Sequence, residues 1–147
     1  MLQKTWQIAA ISLAVALAVG CSRKSGRDKT APVSGRITYA GQPVTEGRIM
    51  FYPEDGRRMA IGAIDTAGNF ALTTYEREDG AFLGKHKVVI DAVRETTSGP
   101  TSSDQEIGAA ETKVVRLVPA MYADRKSTPL EETVKDQVNT IDFDIPR

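Results

Sequence analysis

The side chains that most often do chemistry are scarce in this chain. It has one cysteine, Cys21, and one histidine, His86. A zinc centre needs three or four convergent ligands. A Ser-His-Asp arrangement needs a histidine placed between nucleophile and acid. His86 stands between Lys85 and Lys87 and reads as a surface or strand-end residue, which leaves a zinc peptidase centre without ligands. Ser34, Ser98, Ser102, Ser103 and Ser127 fall in turn-like or exposed-strand contexts. Asp65, Asp79, Asp91, Asp142 and Asp144 are scattered, and none follows the spacing of a calcium-binding loop. Nothing sets two carboxylates across a cleft, as glycoside hydrolysis requires. No glycine-rich phosphate loop occurs. The expectation is a chain with no catalytic residues, no metal and no cofactor.

Cys21 calls for a different explanation. Lys4 gives the N-terminus a positive start, and residues 8–19 are apolar apart from Ser12. Such a run is shorter than the roughly 20 residues that cross a bilayer as a helix, and it suits the core of a secretory signal. Leu17-Ala18-Val19-Gly20-Cys21 follows and resembles a bacterial lipobox. The preferred leucine three places before the cysteine is Ala18 here, with Leu17 one step further back. The resemblance implies cleavage between Gly20 and Cys21, diacylation of the thiol, and acylation of the new amino group. Two or more acyl chains hold a protein stably on a membrane, at about 0.8 kcal/mol per buried CH₂. The expected organisation is a signal peptide over 1–20, a lipidated Cys21 with a flexible polar tether over 21–31, and one folded domain over 32–147. Ser22 after the cysteine points to the outer membrane of a bacterial envelope more than the inner.

Charge narrows the partners. The 19 basic and 19 acidic residues cancel, so no basic excess supports nucleic-acid binding. Four basic residues lie in the tether, Arg23, Lys24, Arg27 and Lys29. They either rest on anionic headgroups or form a solvated spacer.

From Pro32 the hydrophobic pattern has a period of two, the mark of half-buried strands. Val33, Gly35, Ile37 and Tyr39 share one parity, and Gly47, Ile49 and Phe51 share the next. Residues 61–73 read as two short strands joined by Asp65-Thr66-Ala67-Gly68, with Asp bonding its own backbone and Gly taking a left-handed conformation. Val88, Val89 and Ile90 run apolar without alternation, as a strand covered on both faces does. Residues 94–111, rich in Thr, Ser and Gly, are the least structured stretch and read as a long loop. A strand over 113–118, a helical turn at 121–124, and strands over 130–135 and 140–145 complete the chain. About seven short strands without an amphipathic helix predict an all-β fold, an antiparallel sandwich of two sheets.

Several segments in order then carry a resemblance. Residues 33–44 (VSGRITYAGQPV), 47–53 (GRIMFYP), 65–70 (DTAGNF) and 84–90 (GKHKVVI) look like a carboxypeptidase regulatory-like domain. Residues 118–124 (VPAMYAD), 128–130 (TPL) and 139–143 (NTIDF) look like the small bacterial lipoproteins that carry it. The resemblance covers about 32–145. It implies a transthyretin-like, or prealbumin-like, sandwich that is not itself catalytic. A hydrolase acting on 5-hydroxyisourate shares that fold, but its several histidines and its Tyr-Arg-Gly-Ser ending are absent here; this chain ends Asp144-Ile145-Pro146-Arg147.

Two functions follow as expectations. One is a lipid-anchored binding or structural module, meeting an envelope protein or glycan through loops or edge strands. The other is an envelope enzyme or enzyme accessory acting on peptides or glycans. Tyr52, Tyr75 and Tyr122 are candidates to lie outside and stack on such a ligand.

Overall fold

The computed structural model describes residues 26–98 and 111–147. The expected signal peptide over 1–20, Cys21, residues 22–25 of the expected tether, and residues 99–110 lie outside the described residues. Among those described, strands run β1 (Thr30–Ala31), β2 (Val33–Tyr39), β3 (Gln42–Pro43), β4 (Arg48–Pro53), β5 (Ala60–Ala63), β6 (Asn69–Ala71), β7 (Ala81–Phe82), β8 (Gly84–Asp91), β9 (Val93–Ser98), β10 (Glu111–Arg116), β11 (Glu131–Val134), β12 (Asn139–Thr140) and β13 (Phe143–Ile145). One 3₁₀ turn spans Ala120–Ala123, where a helical turn is expected.

The all-β expectation holds. One sheet has the order β11-β8-β4-β5, and the other is built on β2, flanked by β12 and β13 on one side and β3 and β6 on the other. The alternating residues fill the space between. Val33, Ile37, Ile49, Phe51, Phe70, Leu72, Phe143 and Ile145 are all buried. Phe51 and Phe143 meet edge to face with centroids 6.2 Å apart, a favoured aromatic geometry. The apolar run Val88-Val89-Ile90 is buried throughout, with its strand paired on both sides, to β4 and β11.

Pairing is antiparallel except beside β2, where β12 and β13 lie parallel. The route of the chain explains this. After β10 the chain returns alongside β8, with Leu117 N–H bonding Ala92 O and Thr128 Oγ1 bonding Val88 O. It reaches the start of β2 before its last strands begin, so they must run in the direction of β2. The alternating stretch 140–145 is broken in the middle. At Gly35 a Cβ would stand 1.8 Å from Ile141 O, so the backbone at 141 lies directly over the glycine, and Asp142 Oδ1 accepts from Arg36 N–H.

The hairpin over 61–73 is the corner between the sheets. Its arms exchange hydrogen bonds between Ile61 and Thr73, and Asp65 N–H bonds Asn69 O. Between those points each arm pairs elsewhere, β5 on β4 and β6 on β2. Asp65 Oδ1 accepts from Ala67 N–H and Asn69 N–H, each at 2.8 Å. Gly68 takes φ +85°, open to glycine at no steric cost.

Two expectations change. The folded part begins before Pro32: Thr30 and Ala31 pair with Phe82 and Ala81, and Ala31 is buried. Main-chain bonds and a small buried side chain thus draw residues 30 and 31, expected as the end of a tether, onto the sandwich. The stretch 94–111 is no plain loop either. Its described ends form a two-stranded ribbon, β9 with β10, in register from Val93↔Arg116 to Ser98↔Glu111. Thr-rich strands can hold such a ribbon by cross-strand pairs without any apolar alternation to announce it.

Candidate functional site

The chemistry-bearing residues resolve mostly into structural roles. His86 is the clearest correction. It is not at the surface but 1% exposed, its ring 5.8 Å from that of Phe51. Successive side chains on a strand point to opposite faces, so lysines at both neighbours place the histidine inward. Its Nδ1 lies 2.9 Å from Gly84 O. A carbonyl only accepts, so Nδ1 carries the hydrogen and Nε2 presents a bare lone pair. Nε2 is the one buried side-chain polar atom without a partner among the described residues. Burial holds the His86 pKa below its usual value, against the raising pull of the Gly84 carbonyl. Among the described residues Gly84 O is its sole hydrogen-bond partner, and none of their serines or carboxylates bonds its ring.

The acids behave likewise. Asp65 closes the sheet corner, and bonds from Asn69 lead in holding its carboxyl below the usual range. Asp79 accepts from three backbone N–H groups, Thr74 at 2.7 Å, Tyr75 at 2.9 Å and Glu76 at 3.1 Å. Burial pushes its pKa up, but those bonds together outweigh it and the net direction is down. Asp144 takes the Thr38 hydroxyl, and Asp91 faces Arg48 and Arg116. Among the described residues no three of His, Cys, Asp or Glu converge as a metal site would require. Ser127 donates to Met121 O at 2.7 Å.

The tyrosines do not form an open stacking platform. Tyr122 is buried. Tyr75 packs edge-on to Phe82 and carries the Arg27 guanidinium 5.2 Å from its ring centre. Tyr52 is half-buried, with Arg125 5.0 Å from its ring centre. In each of these two cases a cation attracted to the ring covers one of its two faces.

Tyr52 and Arg125 border a cleft of about 440 Å³ with Glu54, Lys87, Lys126 and Glu131. Two carboxylates, Glu54 and Glu131, line it. Glu131, however, bonds Lys87 Nζ at 2.8 Å, and that bond lowers its pKa. A general acid for glycoside cleavage needs the opposite shift.

What the fold leaves available is the ribbon. Arg94, Glu95, Thr96 and residues 112–116 are exposed, including Val114 at 57% and Val115 at 40%. Neither strand has a second partner among the described residues, so each carries an open row of backbone donors and acceptors. Its base is fixed to the sandwich: Arg94 bonds Glu46 and the Thr45 hydroxyl. A smaller cleft of about 270 Å³ opens there, lined by Tyr39, Pro43, Val44, Arg94 and Leu117 among others. Sequence reading expected a strand over 113–118, close to β10, but missed β9 and the pairing of the two. The available signal was the pair of Thr- and Val-bearing segments on either side of the Gly- and Ser-rich stretch.

No family model matches the chain, and no curated protein or solved structure matches it.

Proposed function

We propose that this chain is a lipid-anchored, non-catalytic β-sandwich of the bacterial cell envelope, used for binding or structure, with Cys21 as the acylated residue. The observation that carries the reading is the position of the only cysteine, at the end of an apolar run too short to span a bilayer. The resemblance to carboxypeptidase regulatory-like domains agrees with it, resting on the quoted segments and on a sandwich architecture. Support also comes from the side chains, since His86 and the best-bonded carboxylates serve the fold. On this reading the acyl chains hold the protein on the membrane, more in keeping with the outer than the inner one. The ribbon supplies exposed strand edges to an envelope protein or glycan.

The test is fractionation of cells carrying Cys21→Ala. The wild-type chain should sediment with membranes and the variant should move to the soluble fraction. A variant that stays with membranes would overturn the anchor.

A further inference from the structure

The sandwich has two poles, and the N-terminal attachment and the ribbon lie at opposite ones. β1 pairs with β7 beside the start of β8. Three further contacts lay the residues before β1 on the same pole. Arg27 pairs with Glu76 at 2.9 Å, Asp28 with Arg57 at 3.5 Å and Lys29 with Asp136 at 2.6 Å. From this near pole β8 runs eight residues to Asp91. The ribbon leaves from there, at the far pole, where Arg48 faces Asp91 and Arg94 reaches Thr45.

We propose that the anchored protein stands with the β1–β7 pole toward the bilayer and the β9–β10 ribbon outermost. This rests on the lipid-anchor reading above. The chain's reach supplies the argument. Six residue steps separate Cys21 from Arg27, at most about 20 Å of extended chain, and nine separate it from Thr30, about 30 Å. Laid straight at about 3.4 Å per residue, the eight residues of β8 and six of the ribbon span about 48 Å from the near pole. An inverted stance, ribbon on the membrane, would lift the near pole beyond the reach of its own leash, even with the ion pairs open. The ribbon's open edges therefore meet partners on the side away from the lipid surface.

A label at each pole tests this. Once Cys21 is acylated, an introduced cysteine is the only free thiol in the chain. Arg77→Cys marks the near pole, where the Arg77 side chain is 92% exposed. Thr112→Cys marks the ribbon. Each lipidated full-length variant is labelled with a fluorophore and reconstituted into phosphatidylcholine vesicles bearing a headgroup spin-label quencher. The expected result is loss of fluorescence at position 77 and none beyond the quencher-free control at position 112. Equal quenching, or stronger quenching at 112, in protein that floats with the vesicles overturns the stance and leaves the anchor standing. Protein that does not float overturns both. Gln137→Cys and Lys113→Cys, both at exposed positions, form a second pair should either first variant fail to fold.

Discussion

The sandwich and the ribbon are built from the same kind of strand but differ in what covers them. In the sandwich, Ile37, Ile49, Phe51 and Ile90 are fully buried between two sheets. In the ribbon, Val114 and Val115 stand on opposite faces of a pair of strands that has no further strand partner among the described residues. Burial of a large apolar side chain contributes about 1.5–3 kcal/mol, so the sandwich is held by its core and the ribbon by cross-strand pairs and its base. An isolated two-stranded ribbon is marginal in water. Here one is attached to a well-packed core, so its stability depends on that attachment.

The largest expected effect is inside the sandwich. Phe51→Ala should cost about 3–5 kcal/mol, the usual range for a buried aromatic, read as a lowered denaturation midpoint. A loss below 1 kcal/mol would mean that the two sheets are not packed as described. Next is Asp79→Ala, which strands the N–H groups of Thr74, Tyr75 and Glu76. Unsatisfied buried donors cost about 1–3 kcal/mol, and this loop end is partly wet, so the lower part of that range is expected. Thermal melts of the two variants side by side would rank them.

His86 sets a pH effect on the same core. Its folded pKa lies below its unfolded value of about 6.5, so the unfolded chain takes up the proton first. The His86 contribution to stability is therefore complete above pH 6.5. It falls as pH drops from there through the lowered folded value. Denaturation curves between pH 5 and 8 should show this slope, and His86→Phe should flatten it. An unchanged slope in that variant would assign the effect to other groups.

The smallest effect belongs to the ribbon. Val114→Thr should change stability by no more than about 0.5 kcal/mol, as exposed substitutions do. Hydrogen exchange should find the amides of β9 and β10 opening well before those of β4 and β8. If they were equally protected, the ribbon would be part of the sandwich's cooperative unit and the contrast would fail.

The sandwich was readable where one face is buried and the other wet. Val33, Ile37, Ile49, Phe51, Phe143 and Ile145 sit on the expected parity, because a one-residue slip would expose them all. Asp65-Thr66-Ala67-Gly68 announced its turn through local chemistry, though not that its arms join different sheets. That depends on partners distant in sequence. In the ribbon, β10 falls near the expected strand over 113–118, but β9 was read as loop, because it covers no core and so has no apolar alternation to display. Asn139 was equally silent. Its side chain bonds Lys135 N–H and the carbonyls of Pro32, Lys135 and Gln137, and only the assembled fold brings those groups together. His86 was misread because its charged neighbours were taken as its environment, when on a strand they mark the opposite face. For the candidate site, composition showed only that the chain has one histidine and one cysteine. It gave no indication that the exposed strand edges lie at the pole opposite the N-terminal attachment.

The central claim turns on Cys21, and the mass of the mature protein tests it most directly. Intact mass spectrometry of the chain extracted from membranes should show residues 1–20 removed and acyl chains on Cys21, two through the thiol-linked glyceride and one on the amino group. A chain that retains residues 1–20, or that starts elsewhere with an unmodified Cys21, would contradict the account.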